Sequence, residues 1–442
     1  MNCNKKNEIR KVAFCTLGCK VNQYETNGMM QKFIKANYNI VEFDEFADIY
    51  VVNTCTVTNM ADKKSRQMLR RVKDINKDAI VVAVGCYVQV AKEELEKIPE
   101  IDLCIGTNEK KDIVKYVTEF IENKTKLDKI DDVFQNKEYS DFGNITYTEK
   151  TRAVIKVQDG CDRFCSYCII PYERGRVRSR DKNNVLEEIK LISETKNIKE
   201  VVITGIHVAS YGKDFNEKYE LIDLLEDINK IDGIERIRLG SIEPLLLTEE
   251  FLERLTKNVN KFCMHFHLSL QSACTETLKR MNRRYTIDEF IEIVYRIRKY
   301  YKDAILTTDV IVGFPEETDE EFNITVNNLE KINFYKMHVF KYSPRKGTKA
   351  AEMKGQVPGD IKEKRSKLLL EMSDRNTDRY QEEYIGKIVK VLIEELDDDK
   401  FYKGHTDNFI MVKVNSNEDI CNKIVDVQIL SKENEILIGK MV

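Results

Sequence analysis

Short apolar runs alternate with longer polar stretches through the first quarter of the chain. Lys11–Leu17 (KVAFCTL), Ile49–Asn53 (IYVVN), Ile80–Gly85 (IVVAVG) and Asp102–Gly106 (DLCIG) read as strands, and Tyr24–Ala36 and Asp62–Asp74 as the helices between them. Nearly unbroken apolar runs suit strands covered on both faces, so a parallel βαβ domain is expected. Asn123–Lys150 is polar, charge-rich and without period, and reads as a linker. From Thr151 a second alternation begins, with strand candidates at Ala153–Gln158, Glu200–Thr204, Arg236–Leu239, Phe266–Leu270, Ile305–Val312 and Lys336–Tyr342 and helices such as Asn183–Glu194 and Ile287–Tyr300. Six βα units predict a full or partial TIM-like barrel, whose chemistry gathers at the carboxyl ends of its strands. A basic helical stretch, Asp360–Glu383, precedes five alternating strand segments between Lys387 and Val442, the pattern of a small β-barrel.

At 442 residues the chain exceeds one ordinary core, which agrees with several domains. No apolar run approaches the roughly 20 residues of a membrane span, so no membrane role is expected. The opening MNCNKKNEIRKVAF lacks the apolar core of a signal peptide, which points to the cytoplasm and to reduced cysteines. A formal charge of −3 neither favours nor excludes nucleic acid. From Arg379 onward, nine basic residues face thirteen acidic ones, with Asp397–Asp399 an acidic run, so this part would have to bind RNA through one face rather than through net charge.

The chemistry lies in the twelve cysteines. Cys19, Cys55 and Cys86 each follow a strand of the first domain, and side chains just past the carboxyl ends of neighbouring parallel strands converge. Cys161, Cys165 and Cys168 sit in GCDRFCSYC, directly after the first strand of the second alternation. A structural zinc site closes with four ligands, commonly two CxxC pairs or added histidines. The chain has no second CxxC, and three thiolates on one loop better suit a 4Fe–4S cluster with one iron open to a small molecule. Cys15 and Cys104 lie inside apolar strand patterns and read as buried packing; Cys3, Cys263, Cys274 and Cys421 carry no motif.

CxxxCxxC after the first strand of a six-unit barrel resembles the radical S-adenosylmethionine (SAM) superfamily. The N-terminal cysteines, GCDRFCSYCIIPYERGRVRSR, TGIHVASYG, LGSIEP, HLSLQS, MNRRY, TDVIVGFPEET and YSPRKGT together resemble the methylthiotransferase family over nearly the whole chain. The opening TLGCKVNQYET is most similar to the branch acting on N6-threonylcarbamoyladenosine beside the anticodon of tRNA. Two departures from the commonest pattern are Asp159, where many members have a second glycine, and Lys346 in YSPRKGT.

The resemblance implies residues 1–122 as a domain with an auxiliary 4Fe–4S cluster on Cys19, Cys55 and Cys86, and 123–150 as a linker. It implies 151–376 as a partial radical SAM barrel with its cluster on Cys161, Cys165 and Cys168, and 377–442 as a TRAM barrel, OB-like, that helps to hold RNA. It also implies the use of two SAM molecules: one methylates a sulfur at the auxiliary cluster, the other yields a 5′-deoxyadenosyl radical that breaks the unactivated C–H bond at carbon 2 of adenine. The cofactors carry that chemistry and the protein positions and shields them. An electron donor such as flavodoxin or ferredoxin, a sulfur source, the tRNA anticodon loop as partner and a monomeric state belong to the same expectation. The alternatives are isopentenyladenosine in tRNA or a ribosomal-protein aspartate as substrate, or a two-cluster electron carrier or RNA-binding module without catalysis.

Thr204, Ser241, Gln271 and Asp309 stand where such a barrel presents contacts to SAM, against ordinary strand-end hydrogen bonding. His207 reads as a local hydrogen-bonding group. Arg174, Arg176, Arg178 and Arg180 would point one way in an extended segment and form a phosphate-facing row, against a solvated edge. Arg280, Arg283 and Arg284 with Lys279 form a second basic group beside Tyr285, which could contact or stack on RNA.

Overall fold

A computed structural model describes residues 10–147, 151–398 and 400–442. Cys3, the last three residues of the 123–150 segment and Asp399 of the acidic run lie outside the described residues. The chain divides into two compact units, Met1–Thr148 with Gln158–Arg163 and Cys168–Arg180, and Glu149–Val157 with Phe164–Tyr167 and Asp181–Val442.

The first unit holds a six-stranded parallel sheet of β1 (Lys11–Thr16), β2 (Asn39–Val41), β3 (Ile49–Thr54), β4 (Ile80–Gly85), β5 (Leu103–Ile105) and β6 (Leu127–Lys129), in the order β2-β1-β3-β4-β5-β6. Every residue of β3 is buried: the apolar run Ile49–Val52, and Asn53 and Thr54, whose side chains donate to Asn22 O and Val84 O. Helices Lys20–Lys35, Asn59–Ile75 and Ile113–Asn123 accompany the sheet, and the Thr58 side chain caps the second by accepting from the Ala61 N–H at 3.1 Å. Within the segment read as a linker, Leu127–Lys129 pairs with Leu103–Ile105 as the sixth strand. Three residues of sequence LDK are too short to carry a period, so the pattern holds no sign of it.

β7 (Arg152–Asp159) begins in the second unit and ends in the first, where Gln158 and Asp159 pair antiparallel with β8 (Arg178–Ser179). The second unit continues with β9 (Glu200–Gly205), β10 (Arg236–Leu239), β11 (Ser241–Ile242), β12 (His265–Gln271), β13 (Ile305–Val312) and β14 (Lys336–Lys341). β10-β9-β7 and β11-β12-β13-β14 are consecutive neighbours in two sheets, an open barrel rather than a closed ring. The six expected strands are all present, each within about two residues; the two-residue strands β8 and β11 have no sequence signal. Helix Ile287–Tyr300 starts where expected because Thr286 and Glu289 form a capping box.

The last five strands, β15 (Ile388–Asp398), β16 (Phe401–Thr406), β17 (Met411–Asn415), β18 (Ile424–Glu433) and β19 (Ile436–Met441), close into a barrel of order β15-β16-β17-β19-β18. This barrel belongs to the same compact unit as the central strands. Phe409 joins them. Its ring stacks on His265 of β12 at 5.0 Å and on His405 of β16 at 4.5 Å, with the Arg152 and Arg238 guanidinium groups 5.1 and 4.8 Å from its centre. No helix among the described residues is long and apolar enough to cross a membrane.

Candidate functional site

Cys19, Cys55 and Cys86 leave β1, β3 and β4, three successive neighbours in the sheet. The register sets Thr54 opposite Gly85, so Cys55 and Cys86 depart from adjacent strands at one level, with the strands about 4.8 Å apart. Thr16 lies opposite Asn53, and Cys19 follows as the residue before helix Lys20–Lys35. Two glycines allow the close approach. Gly18 has φ +98° and a Cβ there would come within 2.8 Å of Cys55 Sγ; Gly85 has φ +101° and its Cβ would meet the Asn53 side chain at 2.6 Å.

Cys55 and Cys86 are buried and Cys19 is exposed. Burial pushes the Cys55 thiol up to about 11 and the Cys86 thiol well above its ordinary value. Both are therefore neutral thiols at neutral pH unless an electropositive group binds them. No group of three or more His, Cys, Asp or Glu side chains among the described residues is placed to hold a metal ion. Three thiols without an imidazole, at the ends of three neighbouring strands, are the donor set that an iron–sulfur cluster would use.

Behind these cysteines lies a buried network of charge. Lys110 Nζ donates to Glu25 Oε2 at 2.6 Å and to Asn53 Oδ1 at 3.0 Å; Arg174 Nη2 donates to Asn22 Oδ1 at 2.7 Å and to Glu25 Oε2 at 3.2 Å. Asn22 Nδ2 donates in turn to the carbonyls of Leu17 and Thr54 at 2.8 and 3.1 Å, which ties the loops carrying Cys19 and Cys55 together. Asp159 carries charge rather than the family's common glycine, and its carboxylate lies 3.5 Å from Arg174 and 3.8 Å from Arg178.

The expected phosphate-facing row of Arg174, Arg176, Arg178 and Arg180 does not form. Arg174 closes the short helix Ile170–Arg174, and Arg174, Arg178 and Arg180 are 0, 1 and 0% exposed. Arg178 Nη2 donates to Asn108 Oδ1 and the Arg174 carbonyl at 3.2 and 2.8 Å, and Arg180 donates to Asp141 Oδ2 and Tyr24 Oη at 3.1 and 2.9 Å. Cations so enclosed serve the interior. Arg176 alone of the four is exposed, 3.2 Å from Asp162. On the same unit, burial and then the charge of Asp131 push the Glu109 carboxyl up to about 7.

Cys161, Cys165 and Cys168 are half-buried on the turn that follows β7. In the first unit, Gly160 has φ +72° and a Cβ there would fall 1.8 Å from the Arg176 carbonyl; the next residue, Cys161, donates its N–H to Gly175 O at 3.0 Å. In the second unit, the short piece bearing Cys165 is tied to the turn after helix Thr275–Arg280. Asn282 Nδ2 donates to Phe164 O at 3.0 Å, and Ser166 donates through its N–H to Met281 O at 3.0 Å and through its hydroxyl to Arg280 O at 2.6 Å.

The second basic group also departs from expectation. Arg280 is held by Glu321, Nη1 donating to Oε1 at 2.8 Å. Arg283 is enclosed with Glu243, and Tyr285 is buried with its hydroxyl donating to Ser269 O at 2.8 Å, so neither is free to meet RNA. Lys279 is exposed beside Glu276, and Arg284 is exposed.

Of the suggested SAM contacts, Thr204 is buried near the end of β9 with Oγ1 facing Gly240, and Ser241 is exposed at the start of β11. Gln271 ends β12 at a register shift with φ +74°, a strained conformation for a non-glycine residue. Asp309 lies inside β13 and bonds His267 Nε2 at 3.2 Å. His207 Nδ1 meets Ser210 Oγ at 2.7 Å, the local role expected of it. Sequence reasoning missed the polar ladder of His265 and His267 on Thr307 Oγ1, both at 2.9 Å. The spacing of two histidines in HFHLS, which puts them on one face of a strand, was the available signal.

Residues 155–329 match the Radical SAM superfamily, and residues 11–106 match an uncharacterized protein family, UPF0004. The threonylcarbamoyladenosine tRNA methylthiotransferase MtaB of Bacillus subtilis is 38% identical over 95% of this chain and 93% of its own length. The tRNA-2-methylthio-N(6)-dimethylallyladenosine synthase of Clostridium botulinum (strain Loch Maree / Type A3) is 35% identical over 100% of this chain and 99% of its own. Among solved structures, the radical S-adenosylmethionine methyltransferase TsrM of Kitasatospora setae shares the fold with a TM-score of 0.57 at 14% identity, over 76% of this chain and 74% of that one.

Proposed function

The chain belongs to the radical SAM tRNA methylthiotransferases, and from that premise we propose that it transfers a methylthio group to carbon 2 of N6-threonylcarbamoyladenosine beside the anticodon of tRNA. The observation that carries the reading is the likeness to the MtaB relative along nearly the whole chain, supported by the placement of Cys19, Cys55 and Cys86 directly after the neighbouring strands β1, β3 and β4 and by CxxxCxxC.

Cys161, Cys165 and Cys168 hold the SAM-cleaving 4Fe–4S cluster in this reading, and Cys19, Cys55 and Cys86 the auxiliary one. Together with SAM these groups supply radical chemistry at an unactivated C–H bond. The rest falls to the chain. Asn22, Glu25, Lys110 and Arg174 keep the loops of the auxiliary site in register from behind. Thr204, Ser241, Gln271 and Asp309 are assigned as SAM contacts. Residues 1–122 and 151–376 carry the two sites, and 377–442 act as a TRAM module that holds RNA, with Arg284 as a surface contact. The substrate base must lie unstacked, which an anticodon loop permits more cheaply than a duplex. We place the reaction in the cytoplasm, on a monomer, with an electron donor of the flavodoxin or ferredoxin class and a separate sulfur source.

The test is mass spectrometry of tRNA nucleosides from a strain lacking the gene. The 2-methylthio form of threonylcarbamoyladenosine should vanish and the unthiolated nucleoside accumulate. The similarity to the dimethylallyladenosine synthase supports a second reading; loss of the methylthio form of isopentenyladenosine instead would establish it.

A further inference from the structure

Arg283 belongs to the MNRRY stretch, and its buried position gives it work other than RNA binding. Its Nη1 donates to Cys165 Sγ at 3.6 Å. Nη2 donates to Glu243 Oε2 at 2.9 Å and to Ser269 O at 2.7 Å, and Nε and Nη2 reach Tyr285 Oη at 3.2 and 3.0 Å. The Arg283 side chain is 7% exposed and that of Glu243 6%. The backbone turn around Arg283 also carries the hydrogen bonds from Asn282 and to Met281 and Arg280 that seat Phe164 and Ser166 on either side of Cys165. A planar fork so enclosed cannot swing away from the sulfur, and in this low-dielectric setting its charge acts strongly on whatever Cys165 binds.

We propose that Arg283 is a positioning residue for the cluster on Cys161, Cys165 and Cys168, and that its N–H···S contact and charge raise that cluster's reduction potential, with Glu243 moderating the effect. A reduced cluster carries one more negative charge than an oxidised one, so a hydrogen-bond donor and cation at its sulfur stabilise the reduced form. The step affected is the one-electron reduction that precedes SAM cleavage, the electron coming from an external low-potential donor. The inference rests on the ligand assignment above.

The two are tested separately in full-length protein carrying C19A, C55A and C86A, which leaves one candidate site. Anaerobic reconstitution should load about four irons; failure to load overturns the ligand assignment and the inference with it. With the cluster loaded, its midpoint potential is read by electron paramagnetic resonance during dithionite titration. R283Q should move the potential negative by roughly tenfold in the reduction equilibrium, about 59 mV for one electron. E243Q should move it positive, because it removes the opposing charge. Where R283Q does not assemble, R283K keeps the charge but loses the fork, and a smaller negative shift is expected. An unmoved potential in R283Q, or in R283K as its substitute, overturns the inference, as does anything but a positive shift in E243Q.

Discussion

Glu25 and Arg174 form a buried ion pair across 149 positions of sequence, and Lys110 shares the same carboxylate. Replacing Glu25 by alanine leaves two enclosed cations without it. Breaking a buried pair in this way costs about 3–5 kcal/mol, so Glu25→Ala should markedly lower the urea midpoint of the first unit. Arg176→Ala, which removes an exposed pair, should change stability by less than about 0.5 kcal/mol. Equal effects from the two substitutions would remove the distinction drawn between them.

Iron content separates ligand cysteines from packing cysteines. Replacing Cys55 or Cys86 by alanine should cost about four of roughly eight irons per chain after anaerobic reconstitution. Cys104 and Cys263 are also buried, with thiols pushed up to about 12 chiefly by desolvation, and their replacement should leave the iron count at the parent's value. Loss of iron in Cys104→Ala would make that residue a cluster ligand rather than a packing group.

Glu109 gives the first unit a pH dependence. Its folded pKa of about 7 stands above the 4.5 of an ordinary glutamate, so between these values the folded state holds a proton that the unfolded chain releases. The associated stability is complete below about pH 4.5 and is lost as pH rises to about 7. Glu109→Gln should therefore raise stability at pH 8 by roughly 1–3 kcal/mol and change it little near pH 4.5. Denaturation curves of parent and variant that differ equally at both pH values would count against this cause.

Gly160 is irreplaceable on steric grounds. A methyl group there meets a backbone carbonyl at 1.8 Å, in a left-handed conformation, so Gly160→Ala must move the turn that leads into Cys161. The expected result is loss of the four irons assigned to Cys161, Cys165 and Cys168, while the Cys19, Cys55 and Cys86 site still loads; retention of both would show that the turn can relax.

Much of this was visible in the chain because apolar runs mark strands one at a time. β4, β10 and β13 coincide with their expected limits, and β1, β3 and β4, which Cys19, Cys55 and Cys86 follow, are neighbours in the sheet. The arginines escaped the same logic. Alternation predicts a shared face only in an extended segment, whereas Arg174 ends a helix. The partners that enclose it, Asn22 and Glu25, lie far away in sequence, as Glu243 does from Arg283. Long-range pairing leaves no local period, so charge that reads as surface in the sequence proves to be interior.

That enclosure changes what the protein brings to a polyanion. Each basic side chain that neutralises a phosphate displaces condensed counterions, and on single strands the slope of log affinity against log salt falls by about 0.7 for each. Arg174, Arg178 and Arg180 displace none, because no phosphate reaches them. Titrating salt against tRNA affinity should thus yield a slope shallower by about 2 than the row GRVRSR and its preceding arginine suggest on paper.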